Sequence, residues 1–285
     1  MGFQPTRFDN DVWLKKRPDN SGYDYISTYV DDFLITAKDP WVYMRHLQEI
    51  YVIKDPKAPD YYLGATYNGN PKGNWSITAK KYIKEGIKQI EKRLNITLRE
   101  EKTPIKCNDH PEEDDSKVLD NELHTEYQSI IGMIQWIVLL CRLDICYAVS
   151  TLSRICACPR EGHLSIALRI WGYLKKYPNR SLSIKSGKFS IPGQHLDHLF
   201  IDFVEQYAYA KEEIDPRFPP PIGEELNVSI FFDSDHAHDK VTGRSISGII
   251  VMVESTPIIW KSRRQGVVQT STYGAEFSAM RTATE

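Results

Sequence analysis

The sequence lacks any run of about 18 consecutive apolar residues and has no signal-peptide pattern at its start. It therefore supports neither insertion into a membrane nor secretion. An excess of one charge is also missing, because 36 Lys and Arg residues are balanced by 38 Asp and Glu residues. Without a global basic field, any contact with nucleic acid has to be local.

Cysteine is scarce, with five residues in a chain of 285. An odd number of cysteines in mostly apolar surroundings implies no disulfide framework and is typical of reduced thiols in an intracellular protein. Cys156, Cys158 and His163 could be interpreted as zinc ligands. The tight spacing, the intervening Pro159 and the absence of a fourth nearby ligand favour packed thiols instead. The length favours two domains over one.

The stretch YDYISTYVDDFLITAKD, residues 23–39, sets two adjacent carboxylates, Asp31 and Asp32, between two runs of β-branched and aromatic residues. The alternation predicts an antiparallel hairpin with a two-residue turn at Asp31-Asp32, in which Val30 pairs with Phe33. Favoured turns of this length use Asn-Gly, Asp-Gly or Gly-X, so stability alone would not select two like charges. A divalent cation such as Mg²⁺ would relieve their repulsion. A solvated acidic turn is the alternative.

The middle of the chain predicts helices. Residues 39–53 have apolar residues at helical spacing, with Asp39 as N-cap and Pro40 at the first helical position. A hairpin with its turn at residues 70–73 precedes a basic amphipathic helix at 80–94. The basic face of that helix is either simply solvated or follows a phosphate backbone. After an acidic loop, three successive helices are predicted, with breaks near residues 142–144 and 159–162.

Strands return from residue 226. Three apolar runs are followed by a helix that carries Glu276, and Asp233 lies at the end of the first run. Ribonuclease H-fold nucleases use an Asp at the end of a strand and a Glu on a helix to bind two metal ions. An ordinary strand-end Asp and a solvated helix Glu are the alternative.

Together these segments resemble the C-terminal part of the Pol polyprotein of copia-type long-terminal-repeat retrotransposons, from the end of the reverse transcriptase to the start of the ribonuclease H. The stretches that carry the resemblance occur in family order: GFQPTRFDNDVW, YVDDFLI, YYLGATY ahead of KKYIKE, YQSIIGMIQWI, LDICYAVSTLSR before HLSIALRIWGYLKK, FFDSDHAHD, TGRSISGIIVMV, IIWKSRRQ and STYGAEF.

The resemblance implies an α+β fold in four segments. Residues 1–98 would be the C-terminal part of the reverse transcriptase, with a partial palm and the start of the thumb. Residues 99–190 would form a helical thumb or connection region, and residues 191–225 a linker. Residues 226–285 would be the N-terminal part of a truncated ribonuclease H-like α/β domain.

The resemblance also implies the chemistry, which is RNA-directed DNA polymerisation and cleavage of RNA in RNA–DNA hybrids, both by two-metal phosphoryl transfer with Mg²⁺ or Mn²⁺. Asp31 and Asp32 match the paired palm aspartates, with Asp31 the first choice for a direct metal ligand. Asp233 and Glu276 match the first two ribonuclease H carboxylates, and Asp235 is a weaker match. The implied partners are an RNA template, a DNA primer, RNA–DNA hybrid, deoxynucleoside triphosphates and the rest of the polyprotein, without a membrane.

Each implied site lacks one aspartate in this sequence. The third palm aspartate is expected before residue 1 and the third ribonuclease H aspartate after Glu285. We therefore expect that the purified chain does not extend a primer, and whether it acts as an enzyme by itself stays open. The alternative is a non-catalytic remnant of a transposable element, at most a nucleic-acid-binding module. We expect an intracellular location, either in a cytoplasmic particle or in the nucleus.

Overall fold

A computed structural model describes residues 1–53, 56–69, 74–106, 109–185, 187, 189, 215–216 and 218–285. The chain forms two compact units. The first unit comprises Met1–Leu63 and Phe189–Leu226, and the second comprises Gly64–Lys188 and Asn227–Glu285. Most of the predicted linker lies outside the described residues.

The first unit contains a four-stranded antiparallel sheet in the order β1-β2-β3-β4. Its elements are β1 Gln4–Pro5, β2 Val12–Lys16, β3 Tyr23–Tyr29, β4 Asp32–Thr36, α1 Pro40–Ile50 and β5 Tyr61–Tyr62.

Helix α1 begins as predicted. The Asp39 side chain accepts a hydrogen bond from the Trp41 N–H at 3.1 Å, and Pro40 occupies the first turn. The Tyr43 hydroxyl of α1 donates to the buried Asp24 of β3 at 2.8 Å. Burial and this hydrogen bond raise the pKa of Tyr43 to about 12. The helix is therefore attached to the sheet by a phenol that stays protonated.

The second unit contains the other helices and strands. Its elements are β6 Ala65–Asn68, β7 Trp75–Thr78, α2 Lys80–Leu94, α3 Asn121–Leu140, α4 Cys146–Ser153, α5 Glu161–Lys176, β8 Leu182–Ile184, β9 Val228–Asp235, β10 Ile246–Val253, β11 Thr256–Arg264 and α6 Thr272–Thr284. Across the described residues the chain has six α-helices and three antiparallel sheets, which confirms the α+β class.

Helices α2 to α5 enclose the main apolar core. Their buried side chains recur at helical spacing, for example Ile83, Ile87 and Ile90 on α2. The predicted helix at 80–94 matches α2, and the predicted breaks separate α3 from α4 and α4 from α5. The predicted turn at 70–73 lies outside the described residues, but the strands on either side of it, β6 and β7, pair in antiparallel register.

The last strands and helix also follow the prediction. Strands β9, β10 and β11 form an antiparallel sheet in the order β11-β10-β9, and α6 follows β11. The Trp260 indole of β11 donates to the Val138 carbonyl at 3.0 Å, and the Ser150 hydroxyl of α4 donates to the Ser262 carbonyl at 2.6 Å. These bonds connect the sheet to the helical core within the second unit. The four-segment division stays a prediction.

Among the described residues, no α-helix is both long enough and apolar enough to cross a membrane.

Candidate functional sites

The hairpin of β3 and β4 carries Asp31 and Asp32 at its tip, as predicted, but the turn is one residue earlier. Tyr29 pairs with Asp32 and Thr28 pairs with Phe33, so the two-residue turn consists of Val30 and Asp31. The predicted Asp31-Asp32 turn and the predicted pairing of Val30 with Phe33 are therefore wrong. The two faces of the hairpin are those predicted, because the partner of Phe33 moves by two residues and side chains alternate with that period.

Val30 adopts a left-handed backbone conformation in this turn, with φ of 53°. A β-branched residue at positive φ is a steric outlier, and such strain is typical of ligand-binding and catalytic loops. The side chain is 90% exposed and contributes little packing. With Val30 in this conformation, Asp31 is the second residue of the turn and Asp32 is the first residue of β4.

The Asp31 and Asp32 side chains are both exposed. Among the described residues, neither carboxylate has a hydrogen bond or an ion pair. Two adjacent carboxylates offer oxygen atoms, which are the ligands that Mg²⁺ prefers in proteins. In the described part of the chain, no group of three or more His, Cys, Asp or Glu side chains is arranged to hold a metal ion.

The second predicted pair is arranged differently from the expectation. Glu276 of α6 accepts hydrogen bonds at one oxygen, Oε1, from the Ser234 hydroxyl at 2.9 Å and from the Ser234 N–H at 3.3 Å. Side chains alternate along β9, so the Asp233 side chain lies on the opposite face of the sheet. The structure therefore brings Glu276 to Ser234, the neighbour of Asp233, and the expected face-to-face arrangement of Asp233 and Glu276 is wrong. Their role as metal ligands stays a prediction.

Asp233 lines an open cleft of about 780 Å³ between the sheet and α4. Polar side chains share this cleft, and they include Tyr147, Asp235, His236, His238, Lys240 and Lys261. The cleft has the size of a small-molecule site and mixes acidic, basic and aromatic groups.

A chain of hydrogen bonds at this cleft was not predicted from the sequence. His238 Nδ1 lies 2.7 Å from Asp235 Oδ2, and His238 Nε2 lies 2.6 Å from the Tyr147 hydroxyl. A carboxylate only accepts, so Nδ1 carries the proton and, in the neutral ring, Tyr147 donates to Nε2. Burial raises the pKa of Tyr147, which keeps that donor in place. Asp235, the weaker match, is thus bound to His238.

A buried carboxylate, Asp239, follows this histidine. Its Oδ2 accepts from Arg264 at 2.7 Å and from Arg154 at 3.4 Å. Its Oδ1 accepts from the N–H and the hydroxyl of Thr242, both at 2.8 Å. Burial alone would raise the pKa of Asp239, but the hydrogen bonds from Arg264 and Thr242 outweigh it and lower the pKa to about 2.

The exposed face of α2 carries a row of lysines. Lys80, Lys84, Lys88 and Lys92 follow one another at steps of four residues, and all four are exposed. Residues four apart lie on the same side of a helix, so this lysine row is continuous. Lys88 also contacts Glu85 at 3.2 Å. The row is a local basic surface on a chain with nearly balanced charge.

The zinc interpretation does not fit the contacts of its residues. His163 Nδ1 accepts from the Arg160 N–H at 2.9 Å, and Nε2 lies 2.7 Å from the Pro111 carbonyl. Both ring nitrogens are thus engaged by the backbone. Burial raises the pKa of Cys156, which disfavours the thiolate that binds zinc. These contacts are those of packed side chains.

The chain has relatives among known proteins, but no family model and no solved structure matches it. A putative transposon Ty5-1 protein of Saccharomyces cerevisiae is 27% identical over 275 residues, which cover 95% of this chain and 76% of that protein. The retrovirus-related Pol polyprotein from transposon RE1 of Arabidopsis thaliana is 28% identical over an alignment of 291 positions, which covers all of this chain. An uncharacterized mitochondrial protein of Arabidopsis thaliana is 24% identical, with 90% of each chain covered.

The share of the relatives that is matched differs widely. The chain spans 17% of the length of the RE1 polyprotein, but 76% of the Ty5-1 protein. The similarity extends over nearly the whole chain at identities between 24% and 28%. The chain is therefore a distant homologue of the Pol polyproteins of Ty5/copia-type retrotransposons.

Proposed function

We propose that the chain is a segment of a retrotransposon reverse transcriptase with an associated ribonuclease H. The activities would be RNA-directed DNA polymerisation and cleavage of the RNA strand in RNA–DNA hybrids. The observation that carries the proposal is the hairpin tip, where Asp31 and Asp32 are exposed next to a strained turn residue in a homologue of Pol polyproteins. The ribonuclease H part rests on the match of Asp233 and Glu276 to the family pattern.

In this proposal Asp31 and Asp32 hold the divalent cation, Mg²⁺ or Mn²⁺, with Asp31 as the direct ligand. When bound, the cation supplies charge stabilisation for the attacking hydroxyl and the leaving pyrophosphate. The protein residues orient the two carboxylates. Val30 takes the left-handed conformation that keeps Asp31 in the turn, and the pairing of Tyr29 with Asp32 fixes the second carboxylate in β4.

The proposed partners are those of a polymerase. The lysine row of α2 would contact the phosphate backbone of an RNA template paired with a DNA primer, because lysine side chains bind phosphates as point charges. Deoxynucleoside triphosphates would be the second substrate, and the rest of the polyprotein would supply further site residues. The proposed location is intracellular.

A second candidate is a non-catalytic remnant that still binds nucleic acid. The bonds between Ser234 and Glu276 favour this candidate, because a carboxylate engaged by two donors is a poor metal ligand as it stands. The lysine row would give the remnant its affinity for a polyanion. The two candidates differ in whether Mg²⁺ supports chemistry.

The test is Mg²⁺-dependent primer extension on an RNA template by a Pol protein that contains this chain. The variant is Asp31→Asn, and the control is Asp115→Asn, which removes an exposed carboxylate far along the chain. We expect Asp31→Asn to abolish extension while template–primer binding is retained, and Asp115→Asn to behave as wild type. Normal extension by Asp31→Asn would refute the site assignment. Binding without extension by the wild-type protein would favour the remnant.

A further inference from the structure

The sheet of β9, β10 and β11 has two edges that differ in how well they are protected. β11 carries Pro257, Lys261 and Arg263 and has a register shift against β10. Proline, charged side chains and irregular pairing are features that keep a sheet edge from pairing with another chain. β9 pairs with β10 without a register shift, and among the described residues no strand lies on its other side. Its residues 228–232 include neither a charge nor a proline, so this edge is open to pairing.

The backbone groups that point out of this open edge belong to even-numbered residues. The N–H and C=O groups of one residue point to the same side of an antiparallel strand, and the side alternates along the chain. The Asn227 carbonyl accepts from the Glu254 N–H, directly after β10, at 2.8 Å, whereas the Ser234 N–H donates to Glu276 at 3.3 Å. Odd-numbered residues therefore face β10, and the groups that face outward are those of Val228, Ile230 and Phe232.

These three residues also present apolar side chains beside an apolar stripe of α6. They share the face on which the Ser234 hydroxyl meets Glu276, because side chains alternate along β9. Tyr273, Phe277 and Met280 follow one another at steps of four and three residues on α6 and form one stripe. With 3.6 residues in a turn, Tyr273 and Met280 lie on the side of α6 that carries Glu276, which is the side of the open edge. The six side chains, here called the edge patch, are between 37% and 78% exposed.

The edge patch is large enough for an interface between two chains. An aromatic side chain buries about 150 to 250 Å² when it is fully covered, so the exposed parts of the six side chains amount to roughly 600 Å² in one copy. This area is at the upper end of apolar patches on monomeric proteins. Two copies together would bury about 1,200 Å², which is the lower limit for stable specific interfaces.

The open edge is complementary to itself. In an antiparallel ladder, the outward groups of one strand have to meet the outward groups of the other. A two-fold axis at Ile230 meets this condition, because it opposes the two copies of Ile230 and pairs Val228 of one copy with Phe232 of the other. No charged residue belongs to this ladder, so no like charges face each other. The antiparallel direction is also that of every existing strand pair in the sheet.

We propose that this edge is an interface between two copies of the chain, which pair through β9 around a two-fold axis at Ile230. The product is a continuous six-stranded antiparallel sheet. Helix α6 packs on both β9 and β10, so the two copies of α6 lie about two strand spacings, roughly 10 Å, apart on the same face. Helices pack against each other at about this distance, and the two apolar stripes cover the seam between the copies. The inference does not depend on the proposed catalytic function.

Sedimentation of the full chain at rising concentration tests the interface. Its size is near the lower limit for stable interfaces, so we expect a monomer–dimer equilibrium with a dissociation constant in the micromolar range. Ile230→Lys places two positive charges face to face at the axis and should weaken the dimer at least about a hundredfold. Ile259→Lys is the matched control, because it makes the same change at a similarly exposed side chain on β11. It should dimerise as wild type does.

Amide hydrogen exchange of the wild-type chain identifies the paired edge without any substitution. The N–H groups of Val228, Ile230 and Phe232 face solvent in the monomer and should exchange more slowly as the concentration rises. The N–H group of Ser229 faces β10 and should be protected at every concentration. This readout decides the question even if Ile230→Lys fails to fold, which circular dichroism reveals.

Three outcomes would overturn the proposal. A wild-type chain that stays monomeric at about 100 µM would show that no second copy covers the edge, which then stays open or pairs with another part of a longer Pol polypeptide. A dimer in which Val228, Ile230 and Phe232 exchange as fast as in the monomer would be formed by another surface. Equal dimerisation of wild type and folded Ile230→Lys would exclude a two-fold axis at Ile230.

Discussion

Arg264 donates to Asp239 over 2.7 Å, and this ion pair connects the end of β11 to the loop that follows β9. Arg154, from the end of α4, reaches the same carboxylate oxygen at 3.4 Å. Asp239 is only 1% exposed, whereas the two arginines keep part of their surface in solvent. One buried negative charge thus holds a loop, a strand and a helix together within the second unit.

Replacement of the Asp239 carboxylate should lower the free energy of unfolding. Asp239→Asn leaves Arg154 and Arg264 without a counter-charge in a partly desolvated place. Loss of one partner of a buried ion pair typically costs several kcal/mol, and the partial exposure of the arginines reduces this to about 2 to 3 kcal/mol. Urea denaturation of the two proteins measures the difference in unfolding free energy. A change below about 0.5 kcal/mol would show that the ion pairs contribute no more than surface pairs do.

The control for this prediction is an exposed ion pair of the same unit. Glu85→Gln removes the partner of Lys88, and both side chains are more than half exposed. We expect this substitution to change the unfolding free energy by less than about 0.5 kcal/mol.

The pH dependence of stability should reveal the same carboxylate. The pKa of Asp239 is about 2 in the folded chain, below its usual value of 3.8. The folded state therefore gains stability that is fully present above about pH 4 and is lost as the pH falls towards 2, on the order of 2 kcal/mol. The slope of unfolding free energy against pH in this window should be smaller for Asp239→Asn than for wild type. If unfolding free energy depends on pH with the same slope in wild type and Asp239→Asn, the assignment of the lowered pKa to Asp239 is contradicted.

Local patterns were sufficient to predict the helices. Ile83, Ile87 and Ile90 recur on one side of α2, and they are the residues that the helix buries. The Asp239 ion pairs have no such signal, because Arg154 and Arg264 lie 85 and 25 residues away from Asp239 in the sequence. Contacts of this kind depend on how elements pack, which periodicity does not specify.

A glycine on α2 makes close helix packing possible. A Cβ atom on Gly86 would lie 2.4 Å from the ring of the buried Trp171 on α5. Gly86→Ala should therefore destabilise the chain by about 1 to 3 kcal/mol, although alanine is the better helix former. Gly132→Ala on α3 is the control, because no described atom beyond its chain neighbours and its own helix backbone lies within 4 Å of its Cβ position. It should stabilise by about 0.5 to 1 kcal/mol. Thermal unfolding measures both effects. If Gly86→Ala and Gly132→Ala shift the unfolding temperature in the same direction, the packing argument is refuted.

The position of the turn in the β3–β4 hairpin could not be predicted from turn chemistry. The prediction of a turn at Asp31-Asp32 came from the alternation of side chains, and alternation gives the same two faces for either position of the turn. The structure instead puts the left-handed conformation on Val30 and pairs Tyr29 with Asp32. At the other candidate site, the alternation along β9 separates Asp233 from Glu276. The sequence alone predicted that Asp233 ends a strand and that Glu276 lies on a helix. It did not predict the hydrogen bond between Ser234 and Glu276.

Relief of the strain at Val30 should stabilise the hairpin. Left-handed backbone costs a non-glycine residue about 1 to 2 kcal/mol, and glycine avoids this cost but loses more entropy on folding. Val30→Gly should therefore gain about 0.5 to 1 kcal/mol, seen as stronger hydrogen-exchange protection of β3 and β4. Val42→Gly, at an exposed helical position of α1, should lose stability instead. Weaker protection in Val30→Gly would mean that the turn is not strained.

The lysine row of α2 should determine the salt dependence of nucleic-acid binding. Lys84→Gln combined with Lys92→Gln removes two exposed charges while keeping good helix formers. If both lysines contact phosphates, the slope of log affinity against log salt should fall by about 1.4 to 1.8 in magnitude, because each contact contributes about 0.7 to 0.9. Fluorescence anisotropy with an RNA–DNA hybrid at several salt concentrations gives this slope.

The control is a double variant outside the lysine row. Lys102→Gln with Lys117→Gln removes two exposed lysines and should leave the slope unchanged. Equal slopes for both double variants would mean that the row is a solvated helix face, which is the alternative that its sequence pattern allows.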